Sequence, residues 1–233
     1  MQVNVNPNLM IKHIPIKNCD ASVYIIDDFL LNPELLVNFA KQKAYFLPPG
    51  KDGTLYPGIR DQLPKPYERA LAQLINEHLF TNYDIFVHRC LLSLVTLNAE
   101  QLSNMQKLPH IDSLDKNEYA SVHYLCDEKY GGTSIYQYKP ESVIEVTEDN
   151  CHIIHEMINH VQNSEKNSGY LNGKTSIFEP IITIEAKMNR LVLYPSNLLH
   201  CANIDPRYSI SANPSEGRLT VASFFRLDNT NTQ

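Results

Sequence analysis

A histidine and an aspartate stand two residues apart in Pro109-His110-Ile111-Asp112. On extended backbone the side chains repeat every second residue, so both project to the same side. An imidazole and a carboxylate placed this way supply two ligands of a 2-His-1-carboxylate face, the set that leaves open positions on non-haem iron(II). Arg190-Leu191-Val192-Leu193-Tyr194-Pro195-Ser196-Asn197-Leu198-Leu199-His200 reads as a strand, a turn and a second strand, and it delivers His200 as the candidate third ligand. A plainer reading stands beside it, in which His200 ends a strand and His110 hydrogen-bonds Asp112.

A cation follows in the last strand-like segment. Gly217 to Phe225 alternates, with Arg218, Thr220 and Ala222 on one face and Leu219, Val221 and Phe225 on the other. A guanidinium facing inward is costly without an anion, and a bidentate carboxylate is its usual partner. Thr220 would add a hydroxyl donor. Alternatively, Arg218 reaches solvent from the strand end.

Other chemistries are weaker. Cys151-His152-Ile153-Ile154-His155-Glu156-Met157-Ile158-Asn159-His160 has the residue types of a zinc site. A zincin needs histidines at i and i+4, whereas His155 and His160 are separated by about 140° around a helix. No ligand set with a general-base glutamate follows His152 and His155. G-x-S-x-G, a phosphate-binding Gly loop and a dinucleotide fingerprint are absent. Cys201 beside His200 would point to the opposite face of a strand. His88 and His123 read as core or surface residues, although His123 follows the ligand pair closely enough to be a candidate for contacting it.

These residues need elements to hold them. Val23 to Ile26 predicts a strand; Asn32-Pro33-Glu34 then predicts a cap and first turn, with Leu35, Leu36, Phe39 and Ala40 on one helical stripe. Residues 48–66 are rich in Pro and Gly and read as a long loop containing Tyr56-Pro57-Gly58-Ile59-Arg60, either a surface connection or a cover for a site. Pro66 opens a helix with Ala70, Leu71, Leu74, Ile75 and His78 on one face. Ile85 to Val95 is one long strand or two. Short strands follow at Tyr119–Leu125, Thr133–Tyr136, Ile177–Glu185, Arg190–Tyr194, Leu198–Ile204 and Arg218–Leu227, punctuated by turn residues. A helix capped by Asp149 or Asn150, with Ile153, Ile154, Met157, Ile158 and Val161 on one stripe, interrupts them, and Lys166 to Lys174 is a polar loop. The expectation is a mainly β fold with flanking helices: an N-terminal strand and helix layer over 1–84, and a sandwich, barrel or jelly-roll core over 85–227. One domain would span 1–233, with a helical insertion at 141–175.

Bulk properties narrow the partners. The 233 residues are 43% hydrophobic and 20% charged, enough for a sizeable core. A net charge of −6 argues against nucleic acid or an anionic membrane as a main partner. Met1 to Met10 is Asn-rich without an apolar centre, so no signal peptide is expected, and no apolar run is long enough to span a bilayer. Five cysteines without C-x-x-C spacing read as reduced thiols in a cytoplasmic protein. Oligomeric state is not legible.

Four stretches, in order, resemble the 2-oxoglutarate- and iron(II)-dependent oxygenases, most closely their prolyl-hydroxylase-like branch. They are Pro109-His110-Ile111-Asp112 with the strand Ser121 to Leu125, Gly131-Gly132-Thr133-Ser134-Ile135-Tyr136, Leu191 to Ser196 leading to His200, and Gly217-Arg218. The opening, Tyr24 to Leu36, is similar to the strand, Asp-Asp-Phe-Leu and helix that begin many members, and the layout is similar to bacterial members of about this length. The resemblance implies a double-stranded β-helix (a jelly roll, cupin-like). It implies Fe(II) held by His110, Asp112 and His200, with 2-oxoglutarate bound through Arg218, Thr220 and Tyr124. Arg190 and Arg226 are the fallback anchors, because the interval from His200 to Arg218 is longer than the branch's pattern. The implied activity is hydroxylation of an aliphatic C–H in a small molecule, peptide or protein side chain. Dioxygen is consumed, and oxoglutarate becomes succinate and carbon dioxide. Asp112 favours hydroxylation, since related halogenases lack the carboxylate. A non-catalytic cupin-like binding protein and a metal-dependent isomerase or hydrolase are the alternatives.

Overall fold

The structure, a computed structural model, describes residues 2–162 and 169–230. Its first strand, β1 (Met10–Pro15), pairs antiparallel with β2 (Ser22–Asp27). Nearly every β1 residue is exposed, so its sequence carries no apolar alternation to betray it. Helix α1 (Glu34–Gln42) starts at Pro33 with no side-chain cap, in place of the expected Asn32 cap, and buries Leu36 and Ala40.

The segment expected as one loop over 48–66 is a loop only in its first half. Gly58–Gln62 forms the edge strand β3, paired with β4 (Tyr83–Val95), a single 13-residue strand. Gly58 is required there, since a Cβ would lie 1.9 Å from the Leu94 carbonyl oxygen. Helix α2 (Lys65–Leu74) passes into a π-helical turn over Ile75–Leu79. The wider turn rotates His78 off the apolar stripe, and it is exposed, not packed with Leu71 and Leu74 as helical spacing predicts.

The second half supplies β5 (Glu118–Tyr124), β6 (Thr133–Tyr138), α3 (Ile153–Gln162), β7 (Phe178–Ile184), β8 (Leu191–Pro195), β9 (His200–Ala202) and β10 (Leu219–Asn229). Seven strands form one antiparallel sheet in the order β1-β2-β8-β5-β10-β4-β3, and three form a second in the order β7-β6-β9. Strands distant in sequence lie side by side in the centre of the large sheet, in the order β8-β5-β10-β4, while β6 and β9 pair in the other sheet, which is the winding of a jelly roll. Alternation sorts the large sheet's side chains. Leu92, Val221, Phe225 and Leu193 turn outward, where Leu36 of α1 and Leu71 and Leu74 of α2 cover them. Fully burying side chains of this size contributes roughly 1.5–3 kcal/mol each. On the outer side of the small sheet, Tyr136, Tyr138 and Phe178 pack against Ile153, Met157 and Val161 of α3. That leaves the space between the sheets for a cavity.

His123 lies on the outward face, away from that space, because its neighbour Tyr124 faces inward; its candidacy for contacting the metal ligands ends there. Its Nε2 is 3.2 Å from Asn189 Oδ1 and its Nδ1 is 3.3 Å from the Tyr67 hydroxyl. Asn189 is fixed in orientation by accepting from Leu30 N–H and donating to Leu30 O, so Nε2 carries the imidazole proton and Tyr67 donates to Nδ1. Burial pushes the His123 pKa down to about 4, against a weaker upward pull from Asn189. The unfolded chain, titrating near 6.5, therefore takes up this proton first as pH falls. The associated stability is complete above about pH 6.5 and is lost progressively down to about pH 4, by about 3 kcal/mol. Urea unfolding of the wild type and His123→Gln at pH 7 and pH 4 is expected to show the difference between them shrinking by that amount. A difference independent of pH contradicts a neutral buried His123.

Candidate metal centre

Pro109 to Asp112 forms no strand of its own: His110 makes a single bridge and the chain bends at Asp112. That bridge holds the segment alongside β9. His110 N–H donates to His200 O and His200 N–H to His110 O, each at 2.9 Å, and Asp112 N–H donates to Ser196 O at 2.8 Å. This pairing brings the two rings together, with centroids 4.4 Å apart. His200 Nδ1 is 2.8 Å from the Leu198 carbonyl oxygen, which can only accept, so Nδ1 is protonated and Nε2 presents its lone pair. That Nε2 lies 3.4 Å from Asp112 Oδ2, and His110 Nε2 lies 3.8 Å from Asp112 Oδ1. One donor atom from each residue falls within 4.8 Å of the others. Ligand atoms around a single ion sit roughly 3 Å apart, so the set fits one metal after small side-chain adjustments.

The electrostatics suit the same role. Side-chain exposure falls from 52% at His110 through 20% at Asp112 to 6% at His200, and what is accessible opens into the cavity. Desolvation by the cavity walls, then the adjacent His200 ring, push the His110 pKa down to about 4. His110 is thus neutral at physiological pH, the form that binds metal. Two imidazoles and one carboxylate with an open side match non-haem iron(II) better than a closed structural zinc site. The histidines of the zinc-like segment diverge instead: His152 pairs with Glu141, His160 meets the Tyr138 hydroxyl, and His155 is exposed. Of the polar loop expected at Lys166–Lys174, residues 166–168 lie outside the described residues.

A cavity of about 410 Å³ reaches from these ligands to Arg218. Arg218 sits one residue ahead of β10 and is 2% exposed. Its Nε donates to Gly131 O at 3.2 Å and its Nη2 to Gly132 O at 2.9 Å, and the guanidinium lies over the Tyr124 ring at 5.5 Å. The Tyr124 hydroxyl is tied to Thr133 Oγ1 at 2.6 Å, so Tyr124 braces Arg218 from beneath. Both glycines are obligatory. Gly131 has φ +78°, and a Cβ on either would come 1.7 Å from a backbone oxygen, of Asn203 or of Ile184.

No carboxylate pairs with Arg218 among the described residues. The fallback cations are already engaged, Arg190 by Asp27 and Arg226 by Asp115 and Asp228. A second orphan faces the same place. The Tyr56 hydroxyl is buried beside Arg218, Arg60 and Thr220, approaching Thr220 without forming a hydrogen bond. Strand register explains this convergence, since Arg60, Ser93, Thr220 and Tyr124 form one row across β3, β4, β10 and β5.

Sequence reasoning missed Tyr56 and Arg60 as site residues. Arg60 is 7% exposed; its Nε donates to Ser93 Oγ at 3.1 Å, Nη1 lies 3.4 Å from Asp52 Oδ2, and the guanidinium stacks 3.9 Å from the Tyr56 ring centre. The only signal was their position in the Tyr-Pro-Gly-Ile-Arg run.

A sequence model of the family described as "Family of unknown function (DUF6445)" matches residues 7–225. The chain belongs to the DUF6445 family. No curated protein matches it. Among solved structures, this DUF6445 chain is similar to the crystal structure of SnoN, titled as a non-heme alpha ketoglutarate dependent epimerase from nogalamycin biosynthesis. The TM-score is 0.47 at 11% identity, covering 90% of this chain and 81% of that one. For the DUF6445 chain, chemistry has to be read from its own side chains.

Proposed function

We propose that this protein is an iron(II)- and 2-oxoglutarate-dependent oxygenase that hydroxylates an aliphatic C–H bond of a small molecule or peptide. One observation carries the reading. A buried guanidinium with no carboxylate of its own shares a cavity with two imidazoles and a carboxylate arranged for one metal. Leaving a charge buried and unpaired is expensive, so the cavity is built for an anion. Oxoglutarate answers both ends: one carboxylate takes the free edge of Arg218, and its keto-acid end lies toward the metal ligands.

His110, Asp112 and His200 would hold iron(II), which supplies the redox chemistry coupling dioxygen and oxoglutarate to substrate oxidation. Every other task belongs to the chain. Arg218, Tyr56 and Thr220 donate to the far carboxylate, and Tyr124 fixes the guanidinium over its ring. His200 Nδ1–H, held by Leu198 O, keeps the second ring nitrogen aimed at the metal. Tyr170, whose hydroxyl donates to Leu97 O at 2.6 Å, and Leu171 wall the cavity from the side of the α3 insertion and limit water. Incubation with Fe(II), oxoglutarate and oxygen is expected to yield succinate slowly even without prime substrate. Metal binding without succinate formation would favour a cupin-like binding protein.

A further inference from the structure

The strand register that gathers the Arg218 end also defines the opposite end of the cavity. There, Arg89, Phe224, Ala120 and Tyr194 form a second transverse row across β4, β10, β5 and β8. Tyr194 packs on the His200 ring at 4.7 Å, so the β8 end of this row lies at the metal ligands and the Arg89 end lies three strands away. Arg89 stands four residues before Ser93 on β4, about 13 Å along the strand from the Arg218 row. It is therefore too far away to serve the same carboxylate.

Arg89 lines the cavity, is partly buried, and lies 4.9 Å over the Phe224 ring. That stacking orients the guanidinium and leaves its edge free. No carboxylate lies within ion-pair distance of it among the described residues. The nearest candidate by register, Glu118, is taken by His88 at 2.9 Å and Arg226 at 3.8 Å. The charges in the loaded cavity single out Arg89. A divalent metal and Arg218 are offset by Asp112 and a doubly charged oxoglutarate, and Arg60 is offset by Asp52. Arg89 remains as one uncompensated positive charge in a cavity whose lining includes the apolar side chains of Leu55, Met105, Leu108, Ile111 and Phe224.

We propose that Arg89 anchors the carboxylate of the prime substrate, and that this substrate is a small organic acid with one negative charge and an apolar body. The role of the acid and the charge count rest on the oxygenase reading; the stacked guanidinium of Arg89 in the cavity, without an ion-pair partner among the described residues, does not. The cavity, at about 410 Å³, has the size of a small-molecule site. The carboxylate on Arg89 would fix one end of the acid and leave its chain along the metal ligands.

The test titrates hexanoate calorimetrically into the anaerobic Fe(II)–oxoglutarate form and into metal-free protein, with 1-hexanol and hexylamine as neutral and cationic controls. Hexanoate is expected to bind in preference to both controls. Arg89→Gln is expected to weaken hexanoate by about tenfold or more, with oxoglutarate affinity held within about twofold as the check on folding. Equal hexanoate affinity in Arg89→Gln overturns the proposal, as does a preference for the alcohol or amine, or no hexanoate binding by wild type. If wild type fails to bind oxoglutarate but metal-free protein binds hexanoate through Arg89, the oxygenase reading falls and the acid site stands.

Discussion

Arg218→Ala is expected to weaken oxoglutarate binding to the anaerobic Fe(II) form by about 2–5 kcal/mol, the usual cost of cutting one partner of a buried charge pair. The reason lies in what surrounds the guanidinium. It spends two of its donors on the Gly131 and Gly132 carbonyls and has no carboxylate partner among the described residues, so an incoming carboxylate meets a charge that is already desolvated and aimed. Alanine also strands the Gly131 carbonyl, at about 1–3 kcal/mol if it stays dry, whereas the Gly132 carbonyl still accepts from Asn203 N–H. Arg218→Lys separates the effects, because it keeps the charge but loses the forked geometry. Its oxoglutarate affinity is expected to fall between wild type and alanine, while its urea stability recovers toward wild type. Calorimetric affinity unchanged in both variants would move the anchor to Arg60.

Removing a metal ligand is the other large effect. Asp112→Ala and His200→Ala are each expected to abolish stoichiometric Fe(II) binding, measured by anaerobic equilibrium dialysis. Asp112 is the only carboxylate in the donor set, and its loss leaves two neutral imidazoles to hold a divalent cation. His200 fixes the set, because its ring is buried and its Nδ1 is committed to Leu198 O. Neither change empties the apolar core, so circular dichroism is expected to remain native. Stoichiometric iron in either variant would show that these residues are not the ligands.

What the sequence disclosed and what it concealed follow from the range of the forces involved. The strands β5 to β10 were legible because β5 and β10 alternate and the others are short runs set off by Pro, Gly or Asn, and both signals are local. His110 and Asp112 were legible because i, i+2 spacing suggests a common direction without reference to the rest of the chain, although the chain bends at Asp112. The edge strands of the large sheet were not. β1 is exposed on both faces and β3 is hidden in a Pro- and Gly-rich run, so neither carries a period. Arg60 and Arg89 came to line the cavity only through register between strands distant in sequence, and Tyr56 through the loop ahead of β3. His78 was misplaced because a π-helical turn, invisible to a 3.6-residue period, intervenes before it. His123 is the core residue its strand position suggested, and its second candidacy, for contacting the metal ligands, fell because the alternation that turns Tyr124 inward turns His123 outward.

The central claim is that one cavity holds a metal and oxoglutarate together, and visible absorption under anaerobic conditions tests it most directly. Fe(II) and oxoglutarate are added singly and then jointly to wild type and to Asp112→Ala. A charge-transfer band is predicted only when both are present, saturating at one equivalent of each, and absent in Asp112→Ala. Oxoglutarate bound equally well without metal, with no band on adding Fe(II), would contradict the account.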